Sequence, residues 1–157
     1  MTAGSFSQAI STLQQVVALS SGNDVRAIDQ ALATVMSYHD PECIKPLLLL
    51  LDDTTRQDEG MWSIVHAAEA FDNNTNVGEL LSILPQLCAK APAWASILLM
   101  RVLNADNARH AIVRAVRSAS DDVKASATWL CGKINERSPT FLAKTTALQI
   151  AAGGVRT

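Results

Sequence analysis

The sequence predicts an all-α protein of about eight to nine helices, arranged as stacked antiparallel helical hairpins. Apolar residues recur at helical spacing through most of the chain, as in Ile28, Leu32 and Val35. Helix-capping residues divide these runs into segments of helical length. Period-two alternation is missing, and so are the Asn-Gly and Asp-Gly pairs typical of β-hairpins. The pattern favours a small irregular α-solenoid of the HEAT or armadillo kind, or a compact bundle.

Each predicted helix start has one of two features. It has either a side chain that can accept a hydrogen bond from a backbone N–H of the first turn, or a proline at the first position of the helix. In the first half of the chain they are Ser5 with Gln8 as a capping box, Asp24, Asp40 before Pro41, and Asp58. In the second half they are Asn76 with Glu79 as a capping box, Pro92, Asp106, Ser120, and Ser138 before Pro139. Pro85 lies inside the fifth predicted helix, which should therefore end early or bend.

Pairing the helices from Asp24 onward gives a repeat period. The first helix of each pair then begins near positions 24, 59, 92 and 120, a spacing of about 30 to 35 residues that is typical of stacked helical hairpins. We predict one helical domain that spans residues 1–157, because a chain of 157 residues can bury a single substantial core.

Composition limits the classes of partner. The chain has 13 Lys and Arg against 15 Asp and Glu, a formal net charge of -2, which argues against direct nucleic-acid binding and suits a basic partner. The N-terminus of the chain lacks the basic residues and the apolar run of a secretory signal. The longest apolar run, 47–51, is too short to span a bilayer. We therefore expect a cytoplasmic protein with no membrane partner.

Trp62, His66 and Glu69 fall on one flank of the fourth predicted helix. His66 and Glu69 have the spacing of an acid–base pair or of two metal ligands, but no second helix clearly supplies further ligands. The favoured interpretation is a packed Trp beside a hydrogen-bonded His–Glu pair. The sequence also lacks a Gly-x-Ser-x-Gly motif and a glycine-rich phosphate loop. We expect no enzyme, no metal and no cofactor.

Trp94 and Arg101 lie along one side of the sixth predicted helix, with Asn104 one turn further. A guanidinium beside so much apolar surface needs a carboxylate or carbonyl partner, and Glu69 is the candidate. An ion pair that joins neighbouring hairpins is favoured over a direct contact with a partner protein.

The three cysteines, Cys43, Cys88 and Cys131, lie in apolar helical contexts without a Cys-x-x-Cys pair. We interpret them as reduced thiols buried in the core rather than as a disulfide or a zinc site.

Carboxylates crowd the first half of the chain, and basic residues weight the second half. Such an acidic surface usually serves only to keep a protein soluble, and it is also the kind of surface that would steer a basic partner into fast association.

Four stretches carry a resemblance to a known family, namely MWSIVHAAEAF at 61–71, LP at 84–85, APAWA at 91–95 and MRVLN at 100–104. Together they resemble the immunity protein thirty family of bacterial polymorphic-toxin and contact-dependent growth inhibition systems. The resemblance implies a helical protein encoded beside a toxin whose C-terminal domain it binds and neutralises in the cytoplasm of the producing cell. We interpret the family's recurrent residues as holding the shared fold, and here these are Trp62, His66, Glu69, Trp94, Arg101 and Asn104.

The resemblance and the charge pattern together predict how such a protein works. It would plug the active site of the toxin or cover its substrate-binding face. If the toxin is a nuclease, carboxylates could occupy the positions of the phosphates that its basic groove expects. The predicted toxin contacts are Asp52, Asp53, Asp58, Glu59 and Asp72.

One alternative function is that of a helical-repeat adaptor that binds a peptide or protein with no toxin partner. Another is an enzyme with a pocket around His66 and Glu69.

Overall fold

The computed structural model describes residues 3–20, 24–54 and 59–153. Within these ranges the chain forms nine α-helices and two short 3₁₀-helices, and the described ranges contain no strand. The predicted all-α class and the predicted number of helices are therefore confirmed. None of the helices in the described ranges is long and apolar enough to cross a membrane.

The chain divides into two compact units, Met1–Phe71 and Asp72–Thr157. The first unit contains α1 (Ala3–Ser20), α2 (Val25–Met36), a 3₁₀-helix (Pro41–Cys43), α3 (Ile44–Leu48) and α4 (Glu59–Ala68). Helix α2 packs against both α1 and α4, and α3 packs against α4. The core of this unit consists of fully or almost fully buried apolar side chains, among them Leu13, Ile28, Val35, Ile44, Leu47, Met61, Ile64 and Val65.

The second unit contains α5 (Asn73–Lys90), α6 (Pro92–Leu103), α7 (Asp106–Val116), α8 (Asp121–Arg137), a 3₁₀-helix (Pro139–Phe141) and α9 (Leu142–Ala151). Helix α5 contacts α6, α7 and α8, and α9 packs against α7 and α8. All five helices contribute to the core, with buried side chains that include Leu84, Leu87, Leu99, Ile112, Leu130 and Leu148. That residues 1–157 form one domain stays a prediction.

Three of the predicted caps are present. Asp24 accepts a hydrogen bond from the Ala27 backbone N–H at 3.1 Å, and Asp40 accepts one from the Glu42 N–H at 2.9 Å. Ser120 Oγ accepts one from the Val123 N–H at 3.3 Å. Pro92 is the first residue of α6, as its fixed φ angle favours. These short-range signals depend on a few neighbouring residues, which is why the sequence reveals them.

Other predicted starts are wrong or lie elsewhere. Helix α5 begins at Asn73 with Asp72 as its cap, so Asn76 lies inside the helix. Helix α1 begins at Ala3, which places the Ser5 capping box within it. Ser138 precedes a 3₁₀-helix, and α9 begins at Leu142. The predicted start at Asp58 lies outside the described residues.

Pro85 does not end α5, which continues to Lys90. A proline removes one backbone hydrogen bond and crowds the preceding turn. In α5 the neighbouring residues Leu84 and Leu87 are fully buried, and three helices pack against α5. Burial of the apolar residues on both sides of Pro85 offsets the lost hydrogen bond. Of the two outcomes expected from the sequence, the early end is therefore wrong, and the bend stays a prediction.

Candidate functional site

The acidic segment at 52–59 connects α3 to α4 in the first unit. Asp52 Oδ1 accepts hydrogen bonds from the Thr54 backbone N–H at 2.8 Å and from Thr54 Oγ1 at 2.7 Å. Asp53 is exposed in the turn, and Glu59 is exposed in the first turn of α4. Asp58 lies outside the described residues. Asp52 therefore shapes the turn, while Asp53 and Glu59 present their carboxylates to solvent.

Asp72, the fifth predicted toxin contact, belongs to the second unit and caps α5. Its carboxylate accepts hydrogen bonds from the Thr75 backbone N–H at 3.0 Å and from Thr75 Oγ1 at 2.8 Å. These bonds, the backbone bond first, hold the pKa of Asp72 below its ordinary value. Asp72 is exposed, so it remains accessible to a partner while it serves the helix.

Trp62 and His66 form a pair along α4. Their ring centroids lie 6.0 Å apart with the planes tilted by 35°. His66 is exposed and Trp62 is half-buried, while Glu69 is exposed just beyond the end of the helix. The described part of the chain holds no group of three or more His, Cys, Asp or Glu residues that could bind a metal ion. His66 and Glu69 are thus exposed and Trp62 is half-buried, whereas Met61, Ile64, Val65 and Ala68 of the same helix are buried.

Trp94, Arg101 and Asn104 belong to α6 and its C-terminal end. Trp94 is buried, whereas Arg101 is exposed in the last turn. Asn104 Oδ1 accepts a hydrogen bond from Lys144 Nζ at 2.9 Å, which links the end of α6 to α9. This contact supports a structural role for Asn104, and the structural role of the six recurrent residues as a set stays a prediction. The Glu69–Arg101 ion pair remains a prediction.

The cysteines lie in the interior as free thiols. Cys43 and Cys131 are buried and Cys88 is half-buried. Burial raises the pKa of Cys43 to about 11, with a further contribution from the Asp40 carboxylate, and it raises the pKa of Cys131 to about 12. The thiols therefore stay protonated at neutral pH, which makes them poor nucleophiles and poor metal ligands.

Two surface features of the second unit were not predicted from the sequence. One is an open, mainly apolar groove of about 390 Å³ lined by Gly78, Leu81, Ser82, Ala115, Ala119, Ser120 and Val123. The other is a set of exposed large apolar side chains, namely Trp129, Leu142 and Ile150. A helical signal for Trp129 was available, because its position on α8 is turned away from the buried residues Val123, Ala127, Leu130 and Ile134.

The model of the Immunity protein 30 family matches residues 15–112, which is more than half of the chain. The matched range contains all six recurrent residues from Trp62 to Asn104. The chain matches no curated protein and no solved structure. Immunity proteins neutralise toxins, so the match assigns a general role in toxin neutralisation with a protein toxin as partner. The chain belongs to the Immunity protein 30 family.

Proposed function

We propose that this chain binds the C-terminal domain of a cognate toxin in the cytoplasm of the producing bacterial cell and blocks it without catalysis. The family match over 15–112 carries the proposal. Tight binding alone is sufficient for this function, since a bound protein can plug an active site or cover a substrate-binding face. The toxin would act in contact-dependent growth inhibition or a related polymorphic-toxin system.

The acidic segment supports the proposal that the toxin is a nuclease with a basic surface. Asp53 and Glu59 are exposed carboxylates in one short stretch of the first unit. Carboxylates in such a stretch can occupy the positions that nucleic-acid phosphates take in a basic groove. Asp58 lies in the same stretch of sequence, and Asp52 holds the turn that presents Asp53. Asp72 would add a further exposed carboxylate.

The test is a titration of the purified chain against the C-terminal domain of the protein encoded immediately upstream, together with rescue of cells that express this domain. We expect nanomolar binding, rescue, and inhibition of nucleic-acid cleavage by the domain in vitro. An on-rate that falls as salt concentration rises would support electrostatic steering. Absence of binding and of rescue would refute the proposal.

The variant Asp53→Lys tests the acidic surface. We expect it to lower the on-rate about tenfold at low salt, because rim charges act mainly on association. Asp29→Lys is the matched control, since Asp29 is an exposed carboxylate on α2 of the same unit and its reversal changes the net charge equally. Equal effects of the two variants would contradict a local role for the acidic segment.

A helical-repeat adaptor is the second candidate function, and the groove beside α5 favours it. Its lining residues Leu81 and Val123 offer an apolar floor that suits one or two side chains of a bound peptide. This function predicts peptide binding in cells that lack the toxin gene, and rescue from the toxin would argue against it.

A further inference from the structure

The two units of the chain carry opposite charge. Met1–Phe71 contains three Lys and Arg against nine Asp and Glu, a formal net charge of -6. Asp72–Thr157 contains ten Lys and Arg against six Asp and Glu, a formal net charge of +4. The small net charge of the whole chain, -2, therefore combines two larger charges of opposite sign. A chain with this distribution is complementary in charge to a second copy of itself.

The second unit exposes basic side chains along one side of α7. His110, Arg114 and Arg117 are exposed, and their spacings of four and three residues place them within an arc of about 60° on the helix. The buried residues Ile112 and Val116 lie on the opposite side. We call His110, Arg114 and Arg117 the α7 basic stripe. It extends about 10 Å along the helix, at a rise of about 1.5 Å per residue.

The α7 basic stripe has no counter-charge among the residues that the structure describes. None of its three side chains forms a hydrogen bond or an ion pair with them. Arg109 on the same helix differs, because its guanidinium donates to Asp106 Oδ1 at 2.8 Å and to the Leu103 carbonyl oxygen at 2.9 Å. Arg114 and Arg117 therefore keep their N–H donors available for a carboxylate partner.

The first unit carries the complementary surface. Asp53 is exposed in the turn after α3, and Glu59 is exposed in the first turn of α4. A guanidinium binds a carboxylate through two parallel N–H donors, so the stripe suits a surface with two exposed carboxylates. We propose that the α7 basic stripe binds the acidic first unit of a second copy of the chain, with Asp53 and Glu59 as its contacts. Two copies related by a twofold axis form this contact twice.

The resulting dimer should be weak and sensitive to salt. Exposed ion pairs are individually weak, and salt screens them beyond about 8 Å at physiological ionic strength. We therefore expect a dissociation constant in the micromolar range at low salt, and one at least about tenfold higher at 0.5 M salt.

Self-association would compete with toxin binding, because Asp53 and Glu59 are also proposed toxin contacts. A toxin with a basic groove would displace the second copy, and one toxin domain would then bind one chain. This competition rests on the proposed function, whereas self-association itself needs no toxin and is tested on the chain alone.

The experiment is analytical ultracentrifugation of the purified full chain over a wide range of concentrations, at low and at high salt. We expect the mean mass at low salt to rise from that of one chain toward that of two, and to stay at one chain at high salt. Arg114→Glu/Arg117→Glu should remain a monomer in both. Lys133→Glu/Arg137→Glu is the matched control and should associate like the wild type, because both residues are exposed on α8 and the change in net charge is equal.

An exchange of charge between two copies tests both sides of the contact. Asp53→Lys/Glu59→Lys should also remain a monomer, because its acidic surface has become basic like the stripe. A mixture of this variant with Arg114→Glu/Arg117→Glu should form a dimer with one copy of each. In that dimer every stripe again faces a surface of opposite charge.

A second control concerns the carboxylates. Asp29→Lys/Glu42→Lys changes the charge of the first unit as much as Asp53→Lys/Glu59→Lys does, at two other exposed positions. It should associate like the wild type. Circular dichroism of every variant should match the wild type, since all the substituted residues are exposed.

Four results would overturn the inference. They are a wild type that stays a monomer at every concentration at low salt, association that the stripe variant retains, equal losses in the test and control variants, and a mixture of the exchanged variants that stays monomeric. A monomer that binds a single-stranded oligonucleotide, with binding lost in Arg114→Glu/Arg117→Glu, would assign the stripe to nucleic acid instead. Toxin binding by a monomeric wild type would leave the proposed function standing, and a dimer that binds no toxin would leave only this inference standing.

Discussion

Individual aspartates in this chain stabilise local structure, and two of them, Asp52 and Asp72, were expected from the sequence only as surface charge. Asp24, Asp40, Asp52 and Asp72 each accept a hydrogen bond from a backbone N–H two or three residues later in the chain. The bond uses only part of the capacity of a carboxylate, which can accept several hydrogen bonds. An aspartate can therefore serve a helix and still attract a basic partner.

Asp72 gives a prediction about pH. Its pKa is lowered by the bonds from Thr75, so its contribution to stability is fully present above the ordinary pKa and is lost as the pH falls through the lowered value. We expect Asp72→Ala to lower the Tm at pH 7, and the difference from the wild type to narrow as the pH falls below about 4. Thermal melts between pH 2 and pH 7 provide the measurement. Asp29→Ala, on the middle of α2, is the control, and an Asp72 difference that stays constant with pH would contradict the assigned role.

The start of α5 shows why helix boundaries were harder to predict than helices. Residues 72–76 read Asp-Asn-Asn-Thr-Asn, and every one of them is a residue type that can cap a helix. The structure selects Asp72 and gains one more turn before the buried residue Val77. At Asp24 and Ser120 the predicted cap is the one that the structure uses.

Helix α5 offers a stabilising substitution at Gly78. Its backbone is helical, and a Cβ atom would meet nothing within 4 Å. We expect Gly78→Ala to raise the free energy of unfolding by about 0.5 to 1 kcal/mol, because alanine loses less backbone entropy than glycine in a helix. Urea denaturation followed by circular dichroism measures the change. A decrease in stability would mean that α5 needs glycine for a reason that the described residues do not reveal.

A buried polar contact joins α8 to α9. Thr145 is fully buried, and its hydroxyl lies 2.6 Å from Asn135 Oδ1. We expect Thr145→Val to cost about 1 to 3 kcal/mol, because the substitution keeps the shape but leaves the Asn135 oxygen without this partner. Thr146→Val is the control at a half-buried neighbouring position. Chemical denaturation compares the two, and equal losses would show that the hydrogen bond contributes little.

Across the whole molecule, the sequence predicted the fold class and the family, but not the exposed apolar surface. Periodicity and capping depend on neighbouring residues, and a family motif such as 61–71 is read directly from the chain. Helical spacing places Trp129 away from the apolar stripe of α8, but whether another helix covers that side is a property of packing. The same limit applies to the groove at Gly78, which is lined by three separate helices and the loop before α8.

The proposal of one domain over residues 1–157 leads to the last prediction. Small helical units bury limited cores, and stacked hairpins unfold together when neighbouring repeats are coupled. We therefore expect scanning calorimetry to show one transition, with equal calorimetric and van't Hoff enthalpies.

Two variants make the test sharper. Ile64→Ala acts in the buried core of Met1–Phe71, and Thr145→Val acts in Asp72–Thr157. In a single cooperative domain, each variant lowers the Tm of the same transition, and Ile64→Ala costs about 2 to 5 kcal/mol. If the two units unfold independently, each variant shifts one of two transitions and leaves the other in place, because a substitution acts only on the cooperative unit that contains it.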